Sequence, residues 1–483
     1  MRPVGAIFLQ SGRALAQGLA LSAAIAACSD STSALTPPVG DGGADAAPPL
    51  SSDWPSYGRD YDNSRNNPLE QTITKSNVAT LEPRWSFSET AVTSTVCVLG
   101  GVAYFGDWNS VLRAVDARSG ESIWATPVQP AGAPNQVNDS PFVTENAVYI
   151  GAHTALLSSV DRKTGEILWQ QRIDEQASLM LWSSPVVIDD LLLIGVGSYQ
   201  VFLPATPAFR GNVVGVDVKT GAVKWRLYLT DGSGVSVWSS AAIDKGRKLA
   251  FIGTGQEYTQ GVASPYSDAL IAIRYETGEL AWAQQFTMGD RFQVPTSNGP
   301  DFDVGASPNL FQVGTRAMVG VGDKGGRYFA LDRDTGEVIW TTLLTPGGSN
   351  GGVMASSAYA DGVIYVASNN GSTGGSAGVG GGPGEATIFA LDAADGNVRW
   401  RVTTTPGTFG GVALANGILF VPTLAGEARA YDIADGHLLW ARPVGLSMGG
   451  GVSVSGGMVF AGHGWGWLPS GTQPGGLMAF GLP

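Results

Sequence analysis

Ala-Leu-Asp-Arg-Asp-Thr-Gly-Glu-Val-Ile-Trp, residues 330–340, decides the fold. An apolar run ends at Asp332, a tight turn closes on Gly336, and a second run carries Trp340. The turn needs positive φ after the threonine, which glycine supplies without steric cost, and the aspartate can accept hydrogen bonds from turn amides. Related hairpins end at Trp124, Trp169, Trp225, Trp282, Trp400 and Trp440. Trp85 stands upstream without the Asp-x-x-Thr-Gly element. Successive tryptophans lie 39 to 60 residues apart, a period that suits one four-stranded propeller blade with variable loops. In the blade ending at Trp225, residues 184–188, 191–196, 212–218 and 222–229 read as its four strands. The C-terminus offers three strands, 451–455, 458–462 and 476–480, with no tryptophan strand after them. The strand of Trp85 therefore completes the last blade. The expectation is an all-β, eight-bladed propeller closed by N- and C-terminal strands in one blade, with these tryptophans packed between blades.

Composition agrees. The chain has 483 residues, 43% apolar content and 68 glycines, but only 14% charged residues. That mix suits short strands and turns rather than long surface helices. The net charge is −13 with no basic run, which argues against a nucleic-acid partner. Two cysteines, Cys28 and Cys97, exclude a disulfide framework and a cysteine-rich zinc site. Three histidines leave almost no material for a catalytic triad, and the absence of Cys-x-x-Cys-His excludes a covalently attached c-type haem.

Arg2 and Arg13 precede an apolar run, Ala14 to Ala27, too short for a membrane span. Its end, Ile25-Ala26-Ala27-Cys28, resembles the lipobox of bacterial lipoproteins. The resemblance implies a signal peptide over 1–27, lipidation of Cys28, a flexible tether over 28–52 and the propeller over 53–483. It places the protein in the bacterial cell envelope, lipid-anchored and facing the periplasm or the exterior. Ser29 after the cysteine favours the outer membrane by the same analogy. Residues 370–386, almost all Gly, Ser and Ala, read as a disordered-looking insertion.

Residues 53–68, DWPSYGRDYDNSRNNP, resemble the opening of bacterial quinoprotein dehydrogenases, which bind pyrroloquinoline quinone (PQQ) on an eight-bladed propeller. Residues 236–258 resemble that family's cofactor-stacking segment, and 300–310, PDFDVGASPNL, its catalytic-aspartate segment. The tail, with Gly464-Trp465-Gly466 and GGLMAFGL, resembles the polyvinyl-alcohol-dehydrogenase branch. Alcohol oxidation of this kind needs a base for the hydroxyl proton, an electrophilic quinone carbonyl and a flat surface for the cofactor. The resemblance assigns Asp301 as base, Trp238 as stacking platform and Lys324 as the cation beside the quinone oxygens. It assigns Asp301, Asp303, Gln200 and Gln256 to a calcium or lanthanide ion. Alternation in an extended segment would put Asp301 and Asp303 on one face. The chain carries Gln200 where the family usually has Glu, and Gln256 where it has Asn or Asp, which lowers the ligand charge on which calcium affinity depends. It also lacks the family's adjacent cysteine pair. An Arg and a Glu that touch PQQ in some relatives are replaced near Asp139 and Val92–Thr93. Residue by residue the plain readings stay open: a core tryptophan, a solvated aspartate pair and a turn lysine.

The function implied is PQQ-dependent oxidation of an alcohol, polymeric or secondary, with electrons passed to an external acceptor such as a cytochrome c. The alternative is a non-catalytic propeller lipoprotein that binds protein or polysaccharide, similar to outer-membrane assembly factors. The Asp301/Asp303 pair beside Trp238 discriminates, since a pure scaffold has no use for it. Glycine runs at 347–352, 409–411 and 448–451 precede first strands and are expected to approach the central axis.

Overall fold

A computed structural model of the chain describes residues 52–130, 137–201, 208–294, 299–371, 384–404, 407–466 and 474–483. Cys28, the expected signal peptide and most of the 370–386 insertion lie outside them. Among the described residues no helix is long and apolar enough to cross a membrane.

Eight antiparallel sheets form the blades of a propeller. Their first strands, Cys97–Leu99, Phe142–Val143, Val186–Ile188, Ala242–Asp244, Asn309–Val313, Ala358–Ala360, Ala413–Ala415 and Ser453–Ser455, number blades 1 to 8 and lie innermost, around the axis. The tryptophan strand is outermost in each blade. In blade 5, Arg316–Gly322, Arg327–Asp332 and Val338–Leu343 follow the first strand in order. In blade 8 the outer strand is Glu82–Phe87, paired antiparallel with Gly476–Gly481, so the ring closes as the repeat count requires.

The repeat has a physical cause that one blade alone does not reveal. Each tryptophan faces a small residue across its hairpin: Trp340 pairs with Ala330, Trp225 with Gly215 and Trp85 with Ala479. The indole then leaves its own blade. Trp85 Nε1 donates to the Ala117 carbonyl at 3.1 Å, Trp124 to Arg162 at 3.0 Å, Trp340 to Ala393 at 3.1 Å and Trp440 to Leu81 at 3.1 Å. The ring lies against the next blade's turn glycine. Gly396 has φ +73°, and a Cβ there would sit 2.4 Å from Trp340. The turn glycine is thus required twice, for its backbone conformation and for the approach of a neighbour's indole. The aspartate before it accepts turn amides, as Asp217 does from Lys219 and Thr220 at 3.0 Å. Burying such a tryptophan is worth on the order of 3–5 kcal/mol, judged from truncations in cores.

Residues 54–67 make one lap of the axis. Trp54 exchanges two backbone hydrogen bonds with Val98 of blade 1, and Pro55 accepts from Val143 of blade 2. Tyr61 donates its hydroxyl to Val187 of blade 3 and accepts from Ile243 of blade 4. Asp62, Ser64 and Arg65 accept the amides of Leu310, Tyr359 and Leu414 in blades 5, 6 and 7. Asn67 reaches Val454 of blade 8. The strap thus joins the first strand of every blade and floors the central channel.

Candidate active site

Above that floor lies a cavity of about 280 Å³, walled by the residues that lead into the innermost strands. The level nearest the strap is a ring of equivalent positions: Thr95, Ser140, Ser184, Ser240, Ser307, Ser356, Gly411 and Gly451. Each serine hydroxyl accepts the amide of the preceding blade's ring residue at 2.8–2.9 Å, from Thr95 to Ser140 through Ser307 to Ser356. These bonds satisfy backbone amides that the blades cannot pair themselves.

Trp238 is half-buried in the cavity wall. Its place depends on Gly305 of the next blade, where a Cβ would fall 1.7 Å from the indole. The missing side chain lets the indole press against the backbone. Asp301 and Asp303 are both buried, at 3% and 5% exposure. Asp301 is not in an extended segment: its φ is +57°, and the expected alternation does not apply. A loop bend held by Asp290, which accepts the amides of Phe302 at 2.6 Å and Phe292 at 3.0 Å, brings the two carboxyls together instead. They converge on Lys324, whose Nζ lies 2.5 Å from Asp301 Oδ1 and 3.1 Å from Asp303 Oδ2. The Lys324 amide also donates to the Asp303 carbonyl at 2.9 Å, so the turn and the acidic loop are stitched together.

Burial dominates the electrostatics. It pushes the Asp301 carboxyl up to about 8, aided by Asp303 and opposed by Lys324. Burial alone would discharge Lys324, but Asp301 and Asp303 outweigh it and hold the ammonium above its ordinary value.

Gln256 joins this cluster, donating its backbone amide to Asp303 Oδ1 at 3.0 Å and its side-chain Nε2 to the Phe292 carbonyl at 3.0 Å. The neighbouring Glu257 turns away and caps Ser233 and Thr259. Gln200 also lies apart: its carboxamide oxygen accepts from the Phe209 amide at 3.1 Å and Ser233 Oγ at 2.8 Å, and it does not line the cavity. A calcium or lanthanide ion needs six to eight oxygens. Here Gln200 is committed elsewhere and Lys324 stands between the two carboxylates. Among the described residues no group of three His, Cys, Asp or Glu is arranged to hold a metal. The donor set, so arranged, does not fit a divalent or trivalent ion.

PQQ, a planar tricyclic acid, does fit. The cavity offers the Trp238 indole, the Lys324 ammonium and the hydroxyl ring to such a molecule. Setting aside the blade-packing tryptophans leaves more than Trp238: Trp108, Trp182 and Trp465 line the same cavity. Trp108 Nε1 donates to Thr93 Oγ1 at 2.8 Å, and Thr93 to Asn138 at 3.0 Å. Their lack of the turn motif was the available signal. Asp139 is fully buried and does not line the cavity, accepting instead from the Gly151 amide at 2.6 Å. The glycine runs do reach the axis, where Gly410, Gly411 and Gly449 to Gly451 line the cavity.

This geometry defines a propeller with an acid–base cluster beside an aromatic platform, and sequence comparison places it. The glucose/ethanol/alcohol dehydrogenase β-propeller domain matches residues 54–136 and 171–346, more than half of the chain, and the protein belongs to that PQQ family. A second family, outer membrane protein assembly factor BamB, matches residues 384–466. Polyvinylalcohol dehydrogenase of a Pseudomonas species is 27% identical, covering 78% of this chain and 65% of its own length. The enzyme of the same name from Sphingopyxis sp. (strain 113P3) is 26% identical over 54% of this chain and 46% of its own. The chain thus spans about half to two-thirds of these relatives. Among solved structures, quinohemoprotein alcohol dehydrogenase ADHIIG of Pseudomonas putida HK5 superposes with a TM-score of 0.74 at 20% identity, covering 89% of this chain and 80% of that one. A europium-containing methanol dehydrogenase gives 0.73 at 19% identity, covering 89% and 98%. At these identities the superpositions establish the fold.

Proposed function

We propose that this chain oxidises an alcohol with PQQ as electron acceptor. The observation that carries the reading is the buried Asp301–Lys324–Asp303 cluster sharing a cavity with Trp238. PQQ, when bound, supplies an electrophilic quinone carbonyl that takes up two electrons from the alcohol carbon. Trp238 presents the flat face against which the rings stack. Asp301, once ionised, accepts the hydroxyl proton of the alcohol. Lys324 keeps a positive charge at the site and favours the anionic form of both Asp301 and the reduced cofactor. The surrounding walls leave none of the Asp301, Asp303 and Lys324 side chains more than 8% exposed.

The substrate is an alcohol with apolar flanks, secondary or polymeric. Phe292, Met354, Phe409, Trp182 and Trp465 give the cavity apolar surface, and the polyvinylalcohol dehydrogenases are relatives. We infer that electrons leave to an external acceptor such as a cytochrome c. We place the protein in the cell envelope, lipid-anchored at Cys28. The scaffold reading keeps one support, the match of residues 384–466 to the assembly factor.

The test is reconstitution of the purified protein with PQQ, followed by dye reduction with primary, secondary and polymeric alcohols. Alcohol-dependent reduction is expected, strongest with secondary and polymeric substrates. No reduction with any alcohol would sink the enzyme reading in favour of the scaffold.

Because the base form of Asp301 is required, kcat/KM should rise with pH through an acid limb near 8. Lys324 holds that value down, so Lys324→Met should move the limb to higher pH. A limb that stays in place in the variant would remove Lys324 from control of the base.

A further inference from the structure

Arg65 is the largest buried charge that the chemistry above leaves unused. Its side chain is 0% exposed. The guanidinium donates to the carbonyls of Tyr57, Gly411, Val412 and Val452 and lies over the rings of Tyr57 and Trp54, with centroids at 4.9 and 5.5 Å. Among the described residues it has no carboxylate partner. A full positive charge without a counter-ion is costly to bury, and backbone carbonyls and aromatic faces offset only part of that cost.

Its position shows where the remainder of the compensation can come from. The hydroxyl ring of the cavity is interrupted at two places, Gly411 and Gly451, and Arg65 lies directly behind both. A Cβ at Gly411 would meet its Cζ at 2.8 Å, and one at Gly451 its Nη2 at 2.7 Å. Where blades 1 to 5 present a hydroxyl to the cavity, blades 7 and 8 present a bare backbone with a guanidinium under it. Tyr57, whose ring the guanidinium faces, and Thr95, beside Gly451, line the same cavity, so the charge reaches it past the bare backbone of Gly411 and Gly451 and alongside these two side chains. Lys324, the cation described above, belongs to blade 5, two blades from Gly411 and three from Gly451 around the ring.

We propose that Arg65 is a specificity-determining residue for an anionic ligand: through the Gly411–Gly451 backbone its charge draws a carboxylate group to the blade 7–8 side of the cavity. The ligand class is a planar polycarboxylate, and the proposal rests on the PQQ reading for its identity. Arg65 acts through space and touches no reacting atom, so its effect falls on affinity and orientation.

The test compares binding of PQQ with binding of its uncharged trimethyl ester, both followed by quenching of tryptophan fluorescence in cofactor-free protein. Wild type should prefer the acid strongly. Arg65→Met should lose at least about tenfold of that preference, the Coulomb advantage of one charge roughly 10 Å away at the effective dielectric of protein pairs, while Arg65→Lys keeps most of it. An unchanged acid-to-ester ratio in folded Arg65→Met would overturn the proposal. Should Arg65→Met not fold, Lys324→Met decides: a residual preference for the acid is expected from Arg65, and its complete loss would overturn the role. If wild type binds the ester as well as the acid, the cofactor reading survives and the anion role falls. If it binds neither, the cofactor reading fails and takes this inference with it.

Discussion

Asp301→Asn should lower alcohol turnover by about 10²–10⁴-fold, the usual contribution of a positioned general base, and leave PQQ binding within a few-fold of wild type. Asn keeps the shape of the side chain and an oxygen for Lys324, which sits 2.5 Å from Asp301 Oδ1, but it cannot accept the proton. Steady-state rates with a saturating dye measure the first effect and fluorescence quenching the second. A stability readout separates the base role from a packing role. Burial raises the Asp301 carboxyl to about 8, so the folded protein favours its protonated form. The associated stability is fully present below the ordinary carboxylate range and is lost as pH rises through about 8. Cofactor-free wild type should therefore lose melting temperature between pH 6 and pH 9, and Asp301→Asn should flatten that dependence. Unchanged turnover in the variant would refute the assignment.

Removal of the residues up to Phe87 should abolish the native melting transition. Two structures are lost at once. The strand Glu82–Phe87 is the outer strand of blade 8, and without it Gly476–Gly481 becomes a free edge. Trp85 goes with it, and with it the indole bond to Ala117 and the packing on the Gly120 turn of blade 1. The strap of residues 54–67, which ties the first strands of all eight blades, goes as well. Trp85→Ala alone should cost on the order of 3–5 kcal/mol. Calorimetry of the truncated chain against the full chain checks the claim, and an unaffected melting temperature would contradict it.

The blade count was legible because its cause is local and repeated. An aspartate, a turn glycine and a tryptophan recur at fixed offsets, and each copy solves the same packing problem between neighbours. The closure at Trp85 followed from the unmatched strands at the two ends. The site was legible only in part. Asp301, Asp303, Lys324, Gln256 and Trp238 do meet in one cavity, but alternation was the wrong reason for the aspartates. Asp301 takes φ +57°, and Asp290, twelve residues before Phe302, sets the bend. Gln200 could not be oriented from sequence, because its oxygen is spent on Phe209 and Ser233, partners fixed only by the fold. The strap was visible as a family-like opening, yet its lap of the axis was not, since its partners are spread from Val98 to Val454. Nor was the hydroxyl ring, whose members lie one per blade and form no motif in the chain.

The central claim is that the axial cavity is a PQQ site, and a binding titration tests it most directly. Tryptophan fluorescence of the cofactor-free protein is followed as PQQ is added, for wild type and for Gly305→Ala. A Cβ at residue 305 would fall 1.7 Å from Trp238 and must drive the indole off its platform. The account predicts saturable quenching at one PQQ per chain in wild type and loss of that binding in folded Gly305→Ala. Absence of saturable binding in wild type, or equal affinity in the two proteins, would contradict it.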